Sequence, residues 1–317
     1  MQPPAHASRH RFGFFVTVGF DSIRGILYLL AMPSGAVSSG HSESREKDCL
    51  KEGVESFTIL LAAHNRLGFL KESLGSVLQQ EPKGFQVVVV DDGSDSETRE
   101  WLREQSELEP CLQVVFAEHQ GVAQARQRGL EESGTPWVCI LDSDDLLLPG
   151  AIKYLADSVG ESPEVDFFYV DNRHLLPDGS WEDRSYPQYQ SNAAMRRAVF
   201  IRPRIPFKHS GTTMKRDTAL QIGGYDRSLA IKVDIDLLLR FLSKGLSVKL
   251  IPEPLVAFRV HRRSMSSNRF EGIRAWKRLI WKYGPSSSLL KLTFFCWRTG
   301  VECAKLAYLY FRLPLAK

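Results

Sequence analysis

The stretch Trp137-Val138-Cys139-Ile140-Leu141-Asp142-Ser143-Asp144-Asp145-Leu146-Leu147-Leu148-Pro149 decides the fold. Trp137 to Leu141 is short, apolar and uncharged, the pattern of a strand buried on both faces of a parallel sheet. It stops at three carboxylates. Like charges at a strand end repel and are partly desolvated, a cost that a divalent cation removes. Mg²⁺ or Mn²⁺ takes hard oxygen ligands, commonly one or two carboxylates plus substrate phosphate oxygens. Open α/β sheets place ligands outside the carboxyl ends of their strands. Asp142 and Asp144 are therefore the expected metal–diphosphate ligands. Asp145, ahead of an apolar run with Pro149 near the first turn, reads as a helix N-cap.

Working outward towards the N-terminus, Phe57 to Leu61 reads as a strand that breaks at Ala62-Ala63-His64-Asn65. Asn65 is placed to cap the next helix, whose Leu67, Leu70, Leu74, Val77 and Leu78 share one face. Phe85 to Val90 is a second buried strand, ending in Asp91-Asp92-Gly93-Ser94. A helix over Glu97 to Gln105, a strand over Gln113 to Phe116 and a helix over Val122 to Glu132 complete the alternation. Strands alternating with helices of this length mean βαβ units and a parallel sheet. Its polar strand ends then share one edge, where a nucleotide fits: Asp91 or Asp92 can accept from a base N–H or a ribose hydroxyl. The plainer reading of Asp92-Gly93 is a turn. Neither G-x-G-x-x-G nor G-x-x-x-x-G-K-[ST] follows a strand, which disfavours dinucleotide dehydrogenases and P-loop NTPases.

Towards the C-terminus, a helix (Ala151 to Val159) and a strand (Val165 to Val170) precede the tight turn Leu176-Pro177-Asp178-Gly179, which implies an antiparallel hairpin. Tyr186 to Phe207 has no clear period and reads as a long segment near the site, a possible lid. Lys208 to Met214 returns to a strand. Asp234 and Asp236 open an apolar helix, where acids complement the macrodipole by about 0.3–1 kcal/mol each. Both need not cap, and one is a candidate general base. Ser247 to Ile251 is a strand, Pro252 to Pro254 a turn, and Leu255 to His261 extended. His261 is either a third metal ligand, a phosphate contact or an ordinary histidine.

The 317 residues hold 43% hydrophobic and 25% charged side chains, enough for a sizeable core. A net charge of +4 is too small to argue for nucleic acid. Five scattered cysteines without a CxxC pair point to a reducing compartment, with no disulfide framework or zinc site. Residues 1–55 read as a leader outside the folded domain, signal-anchor-like between Phe12 and Met32 and linker-like after Pro33. Asp21 and Arg24 in the middle of the apolar part, at about 2.5–3.5 kcal/mol each, argue against a membrane span. Residues 266–317 form a basic, aromatic tail. No part of it is charge-free for a bilayer's width, so it reads either as an interfacial amphipathic helix or as a helix pair packed back on the domain.

Taken together, these segments resemble an inverting family 2 glycosyltransferase with the GT-A fold, a Rossmann-like, mostly parallel sheet with flanking helices and an antiparallel acceptor-side extension. The family's VVDDGS segment stands at Val89 to Ser94, its G-V-x-x-A-R segment at Gly121 to Arg126, and its LDSDD segment at Leu141 to Asp145. An E-D-x-D-like segment stands at Val233 to Asp236 after Gly223-Gly224-Tyr225-Asp226, and an I-P-E-P-L-V-x-x-R-V-H-like ending at Ile251 to His261. The likeness covers about residues 57–265, and its strength lies in the order and spacing of motifs that are individually weak. It implies a nucleotide site at Ala62, His64, Asn65, Asp91, Asp92, Gly121, Arg126 and Ser143. It implies Mg²⁺ or Mn²⁺ on Asp142 and Asp144 with His261, Asp234 as catalytic base, and Val233 and Asp236 on the acceptor side. A nucleotide-sugar donor (UDP-linked by preference) would then meet a glycan, lipid-linked or other hydroxyl acceptor, as in cell-surface polysaccharide biosynthesis. The expected place is the cytoplasm, with a peripheral position on the inner face of the membrane left open. The sequence departs from the family at Ala62 and His64, where Pro and Tyr are usual, and at Val233, where Glu is usual. Competing readings are a non-catalytic nucleotide-sugar binding module, suggested by Val233, and a nucleotidyltransferase, which lacks its Gly-rich basic loop here. A glycoside hydrolase would need two carboxylates flanking the bond.

Overall fold

A computed structural model describes residues 53–261 and 269–312, with side chains through residue 307. The leader expected over residues 1–55 lies outside the described residues except for its end, as do Arg262 and Arg263. The first half alternates as expected: β1 (Phe57–Ala63), α1 (Leu67–Leu78), β2 (Gln86–Asp92), α2 (Ser96–Leu108), β3 (Leu112–Ala117), α3 (Val122–Glu132) and β4 (Trp137–Asp142). Then come β5 (Leu146–Leu147), α4 (Ala151–Gly160), β6 (Phe167–Leu175), β7 (Trp181–Arg184), α5 (Asn192–Ile201), β8 (Thr213–Lys215), α6 (Arg216–Gln221), α7 (Val233–Ser243), β9 (Val248–Arg259), α8 (Arg269–Tyr283) and α9 (Ser288–Arg312).

The strands form one nine-stranded sheet in the order β3-β2-β1-β4-β8-β6-β9-β5, with β7 beside β6. β3, β2, β1 and β4 run parallel, and β8 joins β4 antiparallel. The register sets Ala63 opposite Asp91 and Ala62 opposite Asp142. The polar ends of β1, β2 and β4 therefore share one edge. Both faces of these strands are covered: Ile59, Leu61, Val89 and Leu141 pack towards α1 and α4, while Leu60, Val88 and Ile140 face α3 and α7. α3 lies so close to β1 that a Cβ on Gly129 would strike the Leu60 side chain.

Four local expectations are corrected. Asp145 does not cap a helix: it leads into β5, which pairs with Val256 and Ala257 of β9, and α4 starts later, after Gly150 at φ 79°. Asn65 does not cap α1. It adopts φ 55°, a left-handed turn that Asn tolerates, and its side chain reaches across to β2 instead. The lid segment contains α5, capped by Ser191 and burying Met195, Ala198 and Val199 between exposed arginines. Pro252 to Pro254 is not a turn that ends a strand: β9 runs through it, absorbing the prolines as a register shift against β6.

The C-terminal helices pack back on the domain. Trp276, Leu279 and Ile280 of α8 join the core, and α9 lies on α8 and α5. α9 is inverted relative to an ordinary surface helix. Arg298 and Glu302 are buried at 0% and 1% exposure, whereas Leu289, Leu292, Cys296, Trp297, Ala304 and Leu306 face solvent. No helix among the described residues is long and apolar enough to cross a membrane.

Candidate active site

At the shared edge, Asn65 stitches β1 to the loop after β2. Its N–H donates to Ser94 Oγ (2.7 Å), and its Oδ1 accepts from Asp95 N–H (2.8 Å). Asp91 is fully buried; it accepts from Ser94 N–H and pairs with Arg99 at 2.9 Å. That pair corrects the expectation of Asp91 as a nucleotide acceptor, because an engaged, fully buried carboxylate faces no ligand. Asp92 Oδ1 accepts from Gln120 N–H at 2.8 Å and Oδ2 from Gly121 N–H at 2.9 Å, so it holds the positive end of α3 from a neighbouring strand. His64 and His119 stack above this point with ring centroids 4.1 Å apart. Each has its Nδ1 within 3.0 Å of the Asp92 carbonyl oxygen. Ala62 ends opposite Asp142.

The acids after β4 divide into two kinds. Asp145 is buried, accepting from Arg259 N–H (2.9 Å) and from the Ser210 hydroxyl. Burial, with Asp142 and Asp144 beside it, pushes its carboxyl well above the usual range. Ser210 Oγ also accepts from Asp142 N–H at 3.1 Å and so ties the turn together. Asp142 and Asp144 stay partly open. Burial works to raise Asp142, but the Arg126 guanidinium paired with it holds it below its ordinary value. Asp144 accepts from Arg66 (3.3 Å) and lies 2.9 Å from His261 Nε2. Ser143 is half-buried in the turn between them. Ligand oxygens of Asp142, Asp144 and Asp145 lie within 4.8 Å of one another. A hard, oxygen-only set whose acids borrow cations from the protein fits a divalent ion. His261 touches Asp144 but lies outside that tight trio; its ring stacks on Phe69.

Across a cleft of about 700 Å³, lined by both Asp142 and Asp234, stands the start of α7. Its two acids differ. Asp236 is 1% exposed and consumed by Arg240 (2.8 Å), Lys282 (3.1 Å) and Tyr283 Oη (2.8 Å). Asp234 lines the cleft, and no ion pair ties it among the described residues. Burial raises its carboxyl, against Arg126 and Lys232, which favour the charged form. Val233 is 2% exposed and packs in the core. Sequence reasoning missed Lys208, His209 and Ser210. His209 is buried against Tyr225 Oη at 3.0 Å, and burial with Arg126 nearby pushes its imidazole down to about 3. The available signal was a polar run, Lys208 to Thr213, at the start of what read as a strand. Gly211 within it sits at φ 86°, where a Cβ would strike Val170 and Val256.

The sequence model described as Glycosyl transferase family 2 matches residues 58–222, just over half of the chain. The chain belongs to this family. As a family 2 glycosyltransferase it is 26% identical over 217 residues to an uncharacterized glycosyltransferase of Haemophilus influenzae, covering 67% of this chain and 71% of that one. It is 28% identical over 143 residues to glycosyltransferase GlyA of Streptococcus pneumoniae, spanning only 20% of that protein. It is 24% identical over 125 residues to poly-beta-1,6-N-acetyl-D-glucosamine synthase of Staphylococcus aureus, spanning 30% of it. Among solved structures, S. aureus TarS 1-349 in complex with UDP-GlcNAc superposes with a TM-score of 0.61 at 14% identity, covering 82% of this chain and 76% of that one. The mannosyltransferase PcManGT of Pyrobaculum calidifontis, in complex with GDP-Man and Mn²⁺, gives 0.53 at 20% identity over the same shares. At such identities the likeness is one of fold, and the fold is GT-A.

Proposed function

We propose that this glycosyltransferase moves a sugar from a UDP-sugar to an acceptor hydroxyl with inversion, using Asp234 as base and a divalent cation held by Asp142 and Asp144. One observation carries the reading: of the acids at the start of α7, Asp236 is consumed by three partners while Asp234 is left open to the cleft that Asp142 also lines. When bound, Mg²⁺ or Mn²⁺ would supply Lewis-acid stabilisation of the departing diphosphate. The protein's own groups do the rest. Asp234 takes the proton of the attacking hydroxyl, and burial has raised its proton affinity for that task. Arg126 orients Asp142, and Ser210 holds the turn. The His64–His119 stack and Asn65, at the ends of β1 and β3, offer a platform for the base, with Asp92 and Gly121 fixing the loop beneath. A single open base, with no paired nucleophile, suits direct displacement. The preference for UDP rests on TarS, whose complexes hold UDP and UDP-GlcNAc. PcManGT, with GDP-Man and Mn²⁺, supports the metal but shows that the base can differ. The test is release of nucleoside diphosphate from UDP- and GDP-sugars with and without EDTA. Loss on chelation and recovery with Mn²⁺ is expected; undiminished release in EDTA refutes the metal's role.

The reading extends to where the enzyme works. The exposed positions of α9 from Leu289 to Ala307 are uncharged, with Lys291 and Lys305 only partly exposed; Lys291 donates to the Trp281 carbonyl beside it, and exposed Lys277, Arg278 and Lys282 stand on α8. An apolar helical face with tryptophan and flanking cations suits the interface of an anionic bilayer, where a lipid-linked acceptor would be presented. Because α9 also buries Glu302 and Arg298, the clean perturbation is Leu289→Glu with Leu292→Glu, not truncation. Flotation of the wild type with anionic liposomes at low salt, lost in this variant, is expected. A wild type that stays with the soluble fraction refutes it.

A further inference from the structure

The acceptor half of the cleft holds more positive charge than its acids can neutralise. Over the whole cleft, Arg126 and Asp142 included, lysines and arginines outnumber carboxylates two to one. On one wall a single carboxylate, Glu302, serves Arg269 (3.2 Å), Lys232 (3.4 Å) and Lys305 (3.9 Å). On the other wall, Arg202 has only the Tyr189 hydroxyl at 3.3 Å, and Arg204 has no ion pair among the described residues. Lys208 makes no direct ion pair among the described residues, though Asp145, Asp234, Asp142 and Asp144 act on it through space, and it lies 3.6 Å from the centre of the Phe258 ring. Arg184 is paired, but with Glu182 of its own strand. These groups are close enough to act on one another: burial, then Lys208, Arg184 and Arg204, push the His174 imidazole down to about 4. A cleft lined by one sign of charge between low-dielectric walls focuses its field and concentrates the opposite charge.

We propose that the acceptor is anionic, carrying a phosphate or carboxylate that docks on Arg202 and Arg204 with Lys208 at the inner end, beside the hydroxyl that Asp234 activates. This rests on the transferase reading and adds the acceptor's chemical class to it. Arginine suits the role because its planar fork meets phosphate and carboxylate through paired hydrogen bonds. The donor's diphosphate is the other possible source of this negative charge, and the experiment separates the two.

The full chain is first titrated with UDP and Mn²⁺ by calorimetry. The UDP-loaded protein is then titrated with glucose, glucuronate and glucose 6-phosphate. The anionic sugars are expected to bind at least about tenfold more tightly than glucose, and the stronger of the two identifies phosphate or carboxylate. Arg202→Ala with Arg204→Ala should erase that preference while leaving UDP affinity within about twofold, since neither arginine touches the β1, β2 or β4 ends. Equal binding of neutral and charged sugars overturns the proposal, as does a preference that survives in the variant. So does anionic-sugar binding that vanishes once UDP is loaded, which would assign these cations to the donor. If UDP fails to bind, the donor assignment falls instead, and the sugar preference is read on the unloaded chain with the same outcomes.

Discussion

Glu302→Gln tests whether the C-terminal helix is part of the catalytic domain's stability. Glu302 is 1% exposed, accepts from Trp276 Nε1 at 3.1 Å, and neutralises Arg269, Lys232 and Lys305. Glutamine keeps the shape and one acceptor but removes the charge. Breaking a buried pair by deleting one partner costs roughly 3–5 kcal/mol, because the other charge is left uncompensated. Here Lys232 and Arg269 are 15% and 18% exposed and Lys305 35%, so water relieves part of that cost. A loss of about 3 kcal/mol is expected, lowering Tm by about 6–12 °C for a domain of this size. Urea unfolding followed by tryptophan fluorescence measures it, with Trp276 at the site. The pH dependence has a definite sign. Burial favours protonation of Glu302, but Lys232 and its fellow cations outweigh it, so the folded value lies below the ordinary 4.5. Its stabilisation is complete above 4.5 and is lost as pH falls through that lower folded value. The gap between wild type and variant should therefore close in acid. A gap below about 1 kcal/mol at pH 7, or one that persists in acid, refutes the reasoning.

Three further outcomes are expected. Asp144→Ala should abolish transfer and most Mn²⁺-dependent UDP binding with the fold intact; calorimetry showing unchanged binding would move the metal elsewhere. Asp234→Asn should leave UDP binding near normal and lower turnover by about 10²–10⁴-fold. In the wild type, activity should rise with pH through an acid limb lying above the ordinary 3.8, because burial raises this carboxyl and the base acts only when ionised. A limb at or below 3.8 in the pH–rate profile would put the base in a different environment. Gly129→Ala should destabilise by about 1–3 kcal/mol through overpacking of α3 on Leu60, and a denaturation midpoint equal to wild type would show that the helix can shift.

The parallel half of the fold was legible because its strands are apolar on both faces and its helices are regularly spaced. The helix expected over Val122 to Glu132 is observed with those bounds, ending where Ser133-Gly134 breaks it. Roles set by long-range partners were not legible. Nothing near Asp145 in sequence announces Ser210 or Arg259, so a local cap looked sufficient. Asn65 has the chemistry of a cap, and only the neighbouring strand reveals that its side chain is used elsewhere. In α5, adjacent arginines between Met195 and Ala198 hid the four buried apolar residues Met195, Ala198, Val199 and Phe200. The resemblance chose Asp234 over Asp236 as base, but the physical difference between them lies with Lys282 and Tyr283, far along the chain, which hold Asp236.

The inverted α9 makes the far end of the chain a control on the strength of the base. Lys232 stands two residues before Asp234 and favours its ionised form, while Glu302 draws that lysine's charge towards itself. If a protease clipped the chain ahead of Glu302, Lys232 would lose its counter-charge. Lys232, already disfavoured as a cation by burial, would hold its proton less firmly, and its support for the ionised form of Asp234 would weaken. The acid limb set by Asp234 would then move to higher pH. The last helix thus reaches the ionisation of the cleft through a single lysine.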